Sequence, residues 1–243
     1  EIERCLEEAI LLSRIGHPNI IRLFDANVTE TSEGIRGFFT MEYVAGGNLD
    51  QFWRSYKNSF IPIDTAVEIV TQVCRGMSVA HLEDPPLVHR DIKPQNILIG
   101  YDSSGLRVRV SDFGLAKRVN PVTMMASTKG ALLFKPPEVF KDPQSYSCSA
   151  DVWAIGCIFY LLLTLQMPFK EMGDLDLFSM NAFRRPVIKP SKINSEVNDF
   201  SDFIVLKCLA LDPGDRYENA REILEDISKW KQQQQEFALH DKY

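Results

Sequence analysis

The chain of 243 residues contains no apolar run approaching the roughly 18 residues that a membrane-spanning helix requires. The longest candidate, Ile155 to Leu165, is interrupted by Gly156 and Thr164, so no membrane partner is expected. Paired cysteines are missing too. Cys5, Cys74, Cys148, Cys157 and Cys208 are scattered, odd in number and without a C-x-x-C pair. That argues against a disulfide framework or a structural zinc site and for reduced thiols packed in a core. A basic excess is also lacking: the formal net charge is -6, which argues against a duplex nucleic-acid binder. No signal-peptide pattern opens the sequence, and the compartment expected is the cytoplasm, with the nucleus as the other option. Residue 1 is Glu and falls inside an apparent helix, so the natural polypeptide is expected to extend upstream. Lysine is absent until Lys57.

What is present is ordinary for a soluble globular protein, at 45% hydrophobic and 25% charged residues, with length enough for one large domain or two lobes. Residues 1–14 read as an amphipathic helix with Ile2, Cys5, Leu6, Ala9 and Leu12 near one face, ended at Gly16-His17-Pro18-Asn19. Ile20 to Phe24 and Gly37 to Tyr43 read as strands, with Thr29 to Gly34 as the loop between them. The breaker Ala45-Gly46-Gly47-Asn48 marks a junction, after which helices dominate. Asp64 to Leu82 is expected as a helix capped by Asp64, and Ala150 to Leu165, apolar all round, as a buried one. Leu87 to Ser111 suits small strands and functional loops. Amphipathic helices are expected over Phe200 to Leu211 and Asn219 to Lys231, with Gln232 to Gln235 as a frayed end.

The segment with the most chemistry is His89-Arg90-Asp91-Ile92-Lys93-Pro94-Gln95-Asn96. Phosphoryl transfer from ATP needs a carboxylate near the attacking hydroxyl and further oxygen ligands for magnesium. Asp91 can serve as the first, Asn96 as one of the second, and Lys93 can neutralise charge on the transferred group. Sixteen residues after Asn96 comes Asp112-Phe113-Gly114, whose Asp112 is the natural main Mg2+ ligand.

These two segments, in this order, resemble the protein kinase family, which carries H-R-D-x-x-x-x-N followed by D-F-G. Pro136-Pro137-Glu138 and Asp151-Val152-Trp153-Ala154-Ile155-Gly156 match further family motifs. The resemblance implies a two-lobe α+β fold, with residues 1–44 as part of a small β lobe, 45–231 as a mainly helical large lobe and 232–243 as a tail. It implies that Asp151 holds the backbone of the catalytic loop and that Arg216 pairs with Glu138. Met41-Glu42-Tyr43-Val44 then looks like the hinge, with Met41 as gatekeeper and the backbones of Glu42 and Val44 facing adenine. Asn48 falls at the ribose position. Leu98 would pack beneath the purine or be an ordinary core leucine. Glu8 matches the glutamate of the small-lobe helix, with Glu7 as competitor. Leu12, Leu23, His89 and Phe113 match the stacked spine of active kinases.

The resemblance makes residues 112–138 an activation loop. Thr123, Ser127 and Thr128 are its candidate phosphosites, and Arg90 and Lys117 the cations a phosphate would meet. Lys93 favours Ser/Thr over Tyr specificity. Two departures stand out: Ala131 replaces the usual threonine before the Pro-Glu motif, and neither a Gly-rich loop nor the Val-Ala-x-Lys strand is found. The function implied is ATP- and Mg2+-dependent phosphorylation of Ser/Thr in protein substrates, with poor ATP binding by this stretch alone. The rival readings are a pseudokinase scaffold or allosteric partner and a small-molecule phosphotransferase. Apolar small-lobe surface is expected to be exposed. Oligomeric state is left open.

Overall fold

The computed structural model describes residue 13 and residues 15–32, 34–57, 59–113, 131–169 and 180–240, of which 131 and 235–240 are described for backbone only. The chain first forms an antiparallel hairpin of β1 (Leu23–Thr31) and β2 (Gly34–Met41). This hairpin is longer than the sequence suggests. Thr29 to Thr31 and Gly34, expected in a loop, are paired in the ladder, and Gly34 takes φ 114°, a region that favours glycine, where the chain reverses. Apolar side chains are exposed on it, including Phe24 and Ile35 at 61% each.

Helix α1 (Leu49–Ser55) follows the Gly46-Gly47 break and begins with a capping box, Asn48 accepting from the Gln51 N–H while the Gln51 side chain accepts from the Asn48 N–H. Helix α2 (Ile63–His81) starts one residue earlier than the sequence implies. Pro62 occupies the cap, and Asp64 lies in the first turn, where its charge complements the helix dipole. A second hairpin, β3 (Ile97–Asp102) and β4 (Gly105–Val110), is antiparallel. Then come α3 (Pro137–Lys141), α4 (Cys148–Thr164), α5 (Asp199–Cys208) and α6 (Ala220–His240). α6 continues through Gln232 to Gln235, where a frayed end was expected, because glutamine is a good helix former.

The core forms around α4, whose residues are buried from Ala150 through Thr164, as a sequence apolar apart from Asp151 and Thr164 requires. α2 packs on α4, α6 and β4, and α5 packs on α4. Cys74, Cys157 and Cys208 are buried free thiols here, and Cys148 is half-buried with its thiol pushed up to about 11 by burial. They are packing groups rather than nucleophiles. Among the described residues no helix is long and apolar enough to cross a membrane, and no cluster of His, Cys, Asp and Glu could hold a metal ion.

The segment before β1 is stitched to the larger part by its backbone. Val110 N–H donates to the Asn19 carbonyl at 2.9 Å, and Ile21 N–H to the Val110 carbonyl at 2.9 Å. Buried Asn19 donates from Nδ2 to the Val108 carbonyl and to Gln72 Oε1, and Gln72 Oε1 also accepts from the Val108 N–H. This approach requires Gly76 on α2, because a Cβ there would lie 2.6 Å from the Asn19 carbonyl oxygen. Gly76→Ala should therefore destabilise the fold by about 1–3 kcal/mol despite alanine's better helix propensity. Urea denaturation checks the sign: a stabilised variant would mean the segment can move aside at no cost.

Candidate active site

Asp151, three residues from the helix's half-exposed start but itself 2% exposed, aims its carboxylate at the loop that carries the candidate chemistry. Oδ2 accepts from the His89 N–H at 2.6 Å and Oδ1 from the Arg90 N–H at 2.9 Å. Arg90 has φ 66°, a left-handed conformation costly for a non-glycine residue, and the two hydrogen bonds hold it there. His81, at the end of α2, completes the grip. Its Nδ1 accepts from the Ala220 N–H at 3.2 Å, so its proton sits on Nε2 and points at Asp151 Oδ2, 3.1 Å away. One carboxylate thus joins α2, α4, α6 and the loop.

Downstream of that anchor, Asp91, Lys93 and Asn96 form one cluster. Lys93 Nζ donates to Asp91 Oδ2 at 2.8 Å, and Asn96 Nδ2 donates to the Asp91 carbonyl at 2.8 Å and to Asp91 Oδ2 at 3.1 Å. Engaging Nδ2 in this way fixes the amide plane of buried Asn96 and leaves Oδ1 as its remaining acceptor. Its backbone carbonyl accepts from the Ser111 N–H at 2.8 Å and from Ser111 Oγ at 3.1 Å. The residue after Ser111 is Asp112, exposed and with φ 54°. Asn96 and Asp112 are therefore held in adjacent, mutually bonded segments, and an amide oxygen with a carboxylate is the hard donor set that suits Mg2+. Phe113 turns inward and lies 4.5 Å, centroid to centroid, from the His89 ring. His89 Nε2 donates to the Ser111 carbonyl at 3.0 Å, while Nδ1 accepts from the Asp91 N–H at 3.3 Å.

Beside this cluster the hinge segment lies against β3. Ile99 N–H donates to the Gly47 carbonyl at 2.9 Å, and Asn48 bridges Leu98. A Cβ on Gly46 would lie 2.2 Å from the Ile99 carbonyl oxygen, so this approach needs glycine. Glu42 is tied at both ends: its N–H donates to the Arg22 carbonyl, and its Oε1 accepts from the Arg22 N–H and from Arg109 Nε, each at 2.9 Å. The Glu42 N–H is therefore already engaged within the protein. Val44 packs near Gly100, Leu98 is half-buried and Met41 is 40% exposed. Asn48 already serves as the cap of α1, a role that the ribose position does not explain.

A family model described as the protein kinase domain matches residues 1–228. The chain belongs to the protein kinase family. Its relatives include the serine/threonine-protein kinase PknB of Mycobacterium leprae, 32% identical over 228 residues that make up 92% of this chain and 35% of that protein. ATG1b of Arabidopsis thaliana, also a serine/threonine-protein kinase, is 33% identical over 72% of this chain and 23% of its own length. The chain thus spans about a third or less of the length of these curated relatives. Among solved structures, the Rad53 kinase domain and SCD2 in complex with AMPPNP is similar with a TM-score of 0.68 and 27% identity, over 90% of this chain and 77% of that one. The two-lobe kinase fold with few strands in the small lobe is accordingly the fold of this chain.

Within this kinase fold the expected Glu138–Arg216 pair is bidentate, at 2.7 Å and 2.9 Å. Arg216 also donates to the carbonyls of Ala210, Leu211 and Ser149 and stacks 4.8 Å from Trp153. Glu7, Glu8, Leu12, Lys117, Thr123, Ser127 and Thr128 lie outside the described residues, as does the side chain of Ala131. Arg90 is exposed beside Asp91. Sequence reasoning missed His81, Asn19, Gln72 and Ser111; the signal for His81 was a histidine closing an amphipathic helix.

Two outcomes follow for stability. Glu138→Ala leaves the fully buried Arg216 guanidinium without its counter-ion and should cost about 3 kcal/mol, measured by urea unfolding. A change below about 0.5 kcal/mol would mean the three carbonyls suffice. Burial holds the His89 pKa below its ordinary 6.5, so the unfolded chain binds that proton first as pH falls through this value. Stability should be full above it and decline toward the lower folded-state pKa; His17, lowered by burial and then by Arg75, adds to the slope. The urea midpoint should drop between about pH 7.5 and about pH 5.5, and by less in His89→Gln.

Proposed function

We propose that this chain is the catalytic part of a Ser/Thr protein kinase that transfers the γ-phosphoryl group of ATP to a hydroxyl of a protein substrate. The observation that carries the reading is the bonded cluster of Asp91, Lys93 and Asn96, tied through Ser111 to the segment bearing Asp112. Asp91 orients the substrate hydroxyl and accepts its proton as the oxygen–phosphorus bond forms and the bond to the ADP leaving group breaks. Lys93 stabilises negative charge on the moving phosphoryl group. Asn96 and Asp112 would hold Mg2+, which supplies charge neutralisation to the nucleotide phosphates when bound. Met41, Leu98 and the backbones of Glu42 and Val44 would form the purine slot, with Asn48 near the ribose. In this reading residues 1–44 contribute to the small lobe, 45–231 form the large lobe and 232–243 follow it. Phosphorylation within 112–138 would recruit Arg90 and Lys117 to order that stretch.

The alternative reading is a pseudokinase scaffold or allosteric partner without catalysis. Both readings meet the same experiment, Mg2+-dependent transfer of labelled phosphate to a generic Ser/Thr substrate by the full-length gene product. Asp91→Asn should lower turnover by roughly 10²–10⁴-fold with an unchanged melting temperature. Near-normal turnover in that variant would sink the assignment of Asp91, and no transfer or nucleotide binding by the unmodified protein would favour the scaffold.

A further inference from the structure

A groove between α5 and the short turn Pro190–Lys192 carries a set of cations that phosphoryl transfer does not use. The chain has a net charge of -6, yet residues 181–192 hold Arg184, Arg185, Lys189 and Lys192 and no Asp or Glu. All four are exposed. Among the described residues, Arg184, Lys189 and Lys192 have no carboxylate within ion-pair distance. Lys207 joins them from α5, also without a carboxylate partner among the described residues. Its ammonium lies 4.0 Å from the centroid of the Tyr217 ring and 5.9 Å from that of Phe203, which fixes an otherwise flexible side chain at the rim.

Between Lys189 and Lys207 the surface dips into a groove of about 570 Å³. Its apolar part is Phe203, 51% exposed, with half-buried Leu206. Ile188, preceding Lys189, is 60% exposed. Two acids line the groove as well. Asp202 is 2% exposed, and its two oxygens accept from the Ser191 N–H at 2.9 Å and from Ser191 Oγ. Asp199 stands in the first turn of α5, where the helix dipole offsets its charge. The open face thus presents exposed Phe203 between Lys189 and Lys207, with Asp199 as its exposed carboxylate.

We propose that this groove docks an acidic peptide segment of a partner protein, with one large apolar residue seated against Phe203 and Leu206. Carboxylates flanking that anchor would meet Lys189 and Lys207, with Lys192 of the adjoining turn extending the attraction. An exposed aromatic side chain between two lysines suits a peptide that carries both an apolar anchor and carboxylates. The acidic balance of the whole chain disfavours nucleic acid. Unpaired cations around an exposed aromatic ring also match the usual anatomy of a hot spot with a charged rim. The site goes beyond the kinase reading and is tested by binding alone.

The test is fluorescence anisotropy of a labelled Glu-rich peptide with a central Leu, against the same peptide with Leu replaced by Ser. The chain should bind the first more tightly, with affinity falling as salt rises. The double variant Lys189→Glu with Lys207→Glu should weaken binding by at least about tenfold. Phe203→Ser should erase the preference for the Leu peptide while melting temperature stays within a few degrees. Unchanged affinity in the charge-reversed protein overturns the proposal. So does equal binding of both peptides, which would indicate undirected charge attraction. Preferential binding to phosphatidylserine vesicles would replace the peptide with a lipid surface.

Discussion

The Asp151 carboxylate is the constraint on which the reactive geometry rests. It is buried, so leaving it unpaired would cost several kcal/mol, and it is satisfied only if two successive backbone N–H groups and an imidazole converge on it. Converging forces Arg90 into a left-handed conformation, and that local cost is offset by the bonds it permits. The next residue is Asp91, so the direction in which the candidate catalytic carboxylate leaves the backbone follows from how the preceding two residues are held. A helix buried along its length is a suitable base for such an anchor, because close-packed interiors yield little.

A second chain of dependence runs through Asn96 and Ser111. The Asn96 side chain addresses Asp91, while its main-chain oxygen receives the Ser111 N–H and hydroxyl. The stretch ending in Asp112 therefore cannot shift far without disturbing the loop that holds Asp91. Phe113 packing on His89 adds an apolar contact to the same junction. The candidate catalytic groups are thus linked by short bonds, an arrangement that would keep reorganisation small during the proposed transfer.

Much of this was legible beforehand because the chemistry is local in sequence. Asp91, Lys93 and Asn96 lie within six residues, and hydrophobic patterning marked α4 without ambiguity. The first hairpin was misjudged at its loop, since Thr29 to Thr31 are polar, and a solvent-facing ladder can be built from polar residues. Helix α6 outran its apolar stripe because glutamines sustain a helix without burying a face. What sequence could not reveal were partners distant along the chain: Asn19 with Gln72, His81 with Ala220, Glu42 with Arg109. Each is a polar residue whose partner is set by tertiary approach, and no periodicity encodes it. Asn48 showed the opposite problem, for a residue suited to touch a sugar is equally suited to cap a helix.

The Arg216 clasp has a consequence for how this sequence can change. Its guanidinium meets a carboxylate, three carbonyls and an aromatic face at once. Lysine, with three donors diverging from a single point, cannot reproduce that fork, and an apolar replacement strands Glu138. Loss of either partner lowers stability before the other can compensate, so the two positions are locked together in descent. A lineage that drifted at one would have to cross a valley of poorly folded intermediates to reach any alternative pair.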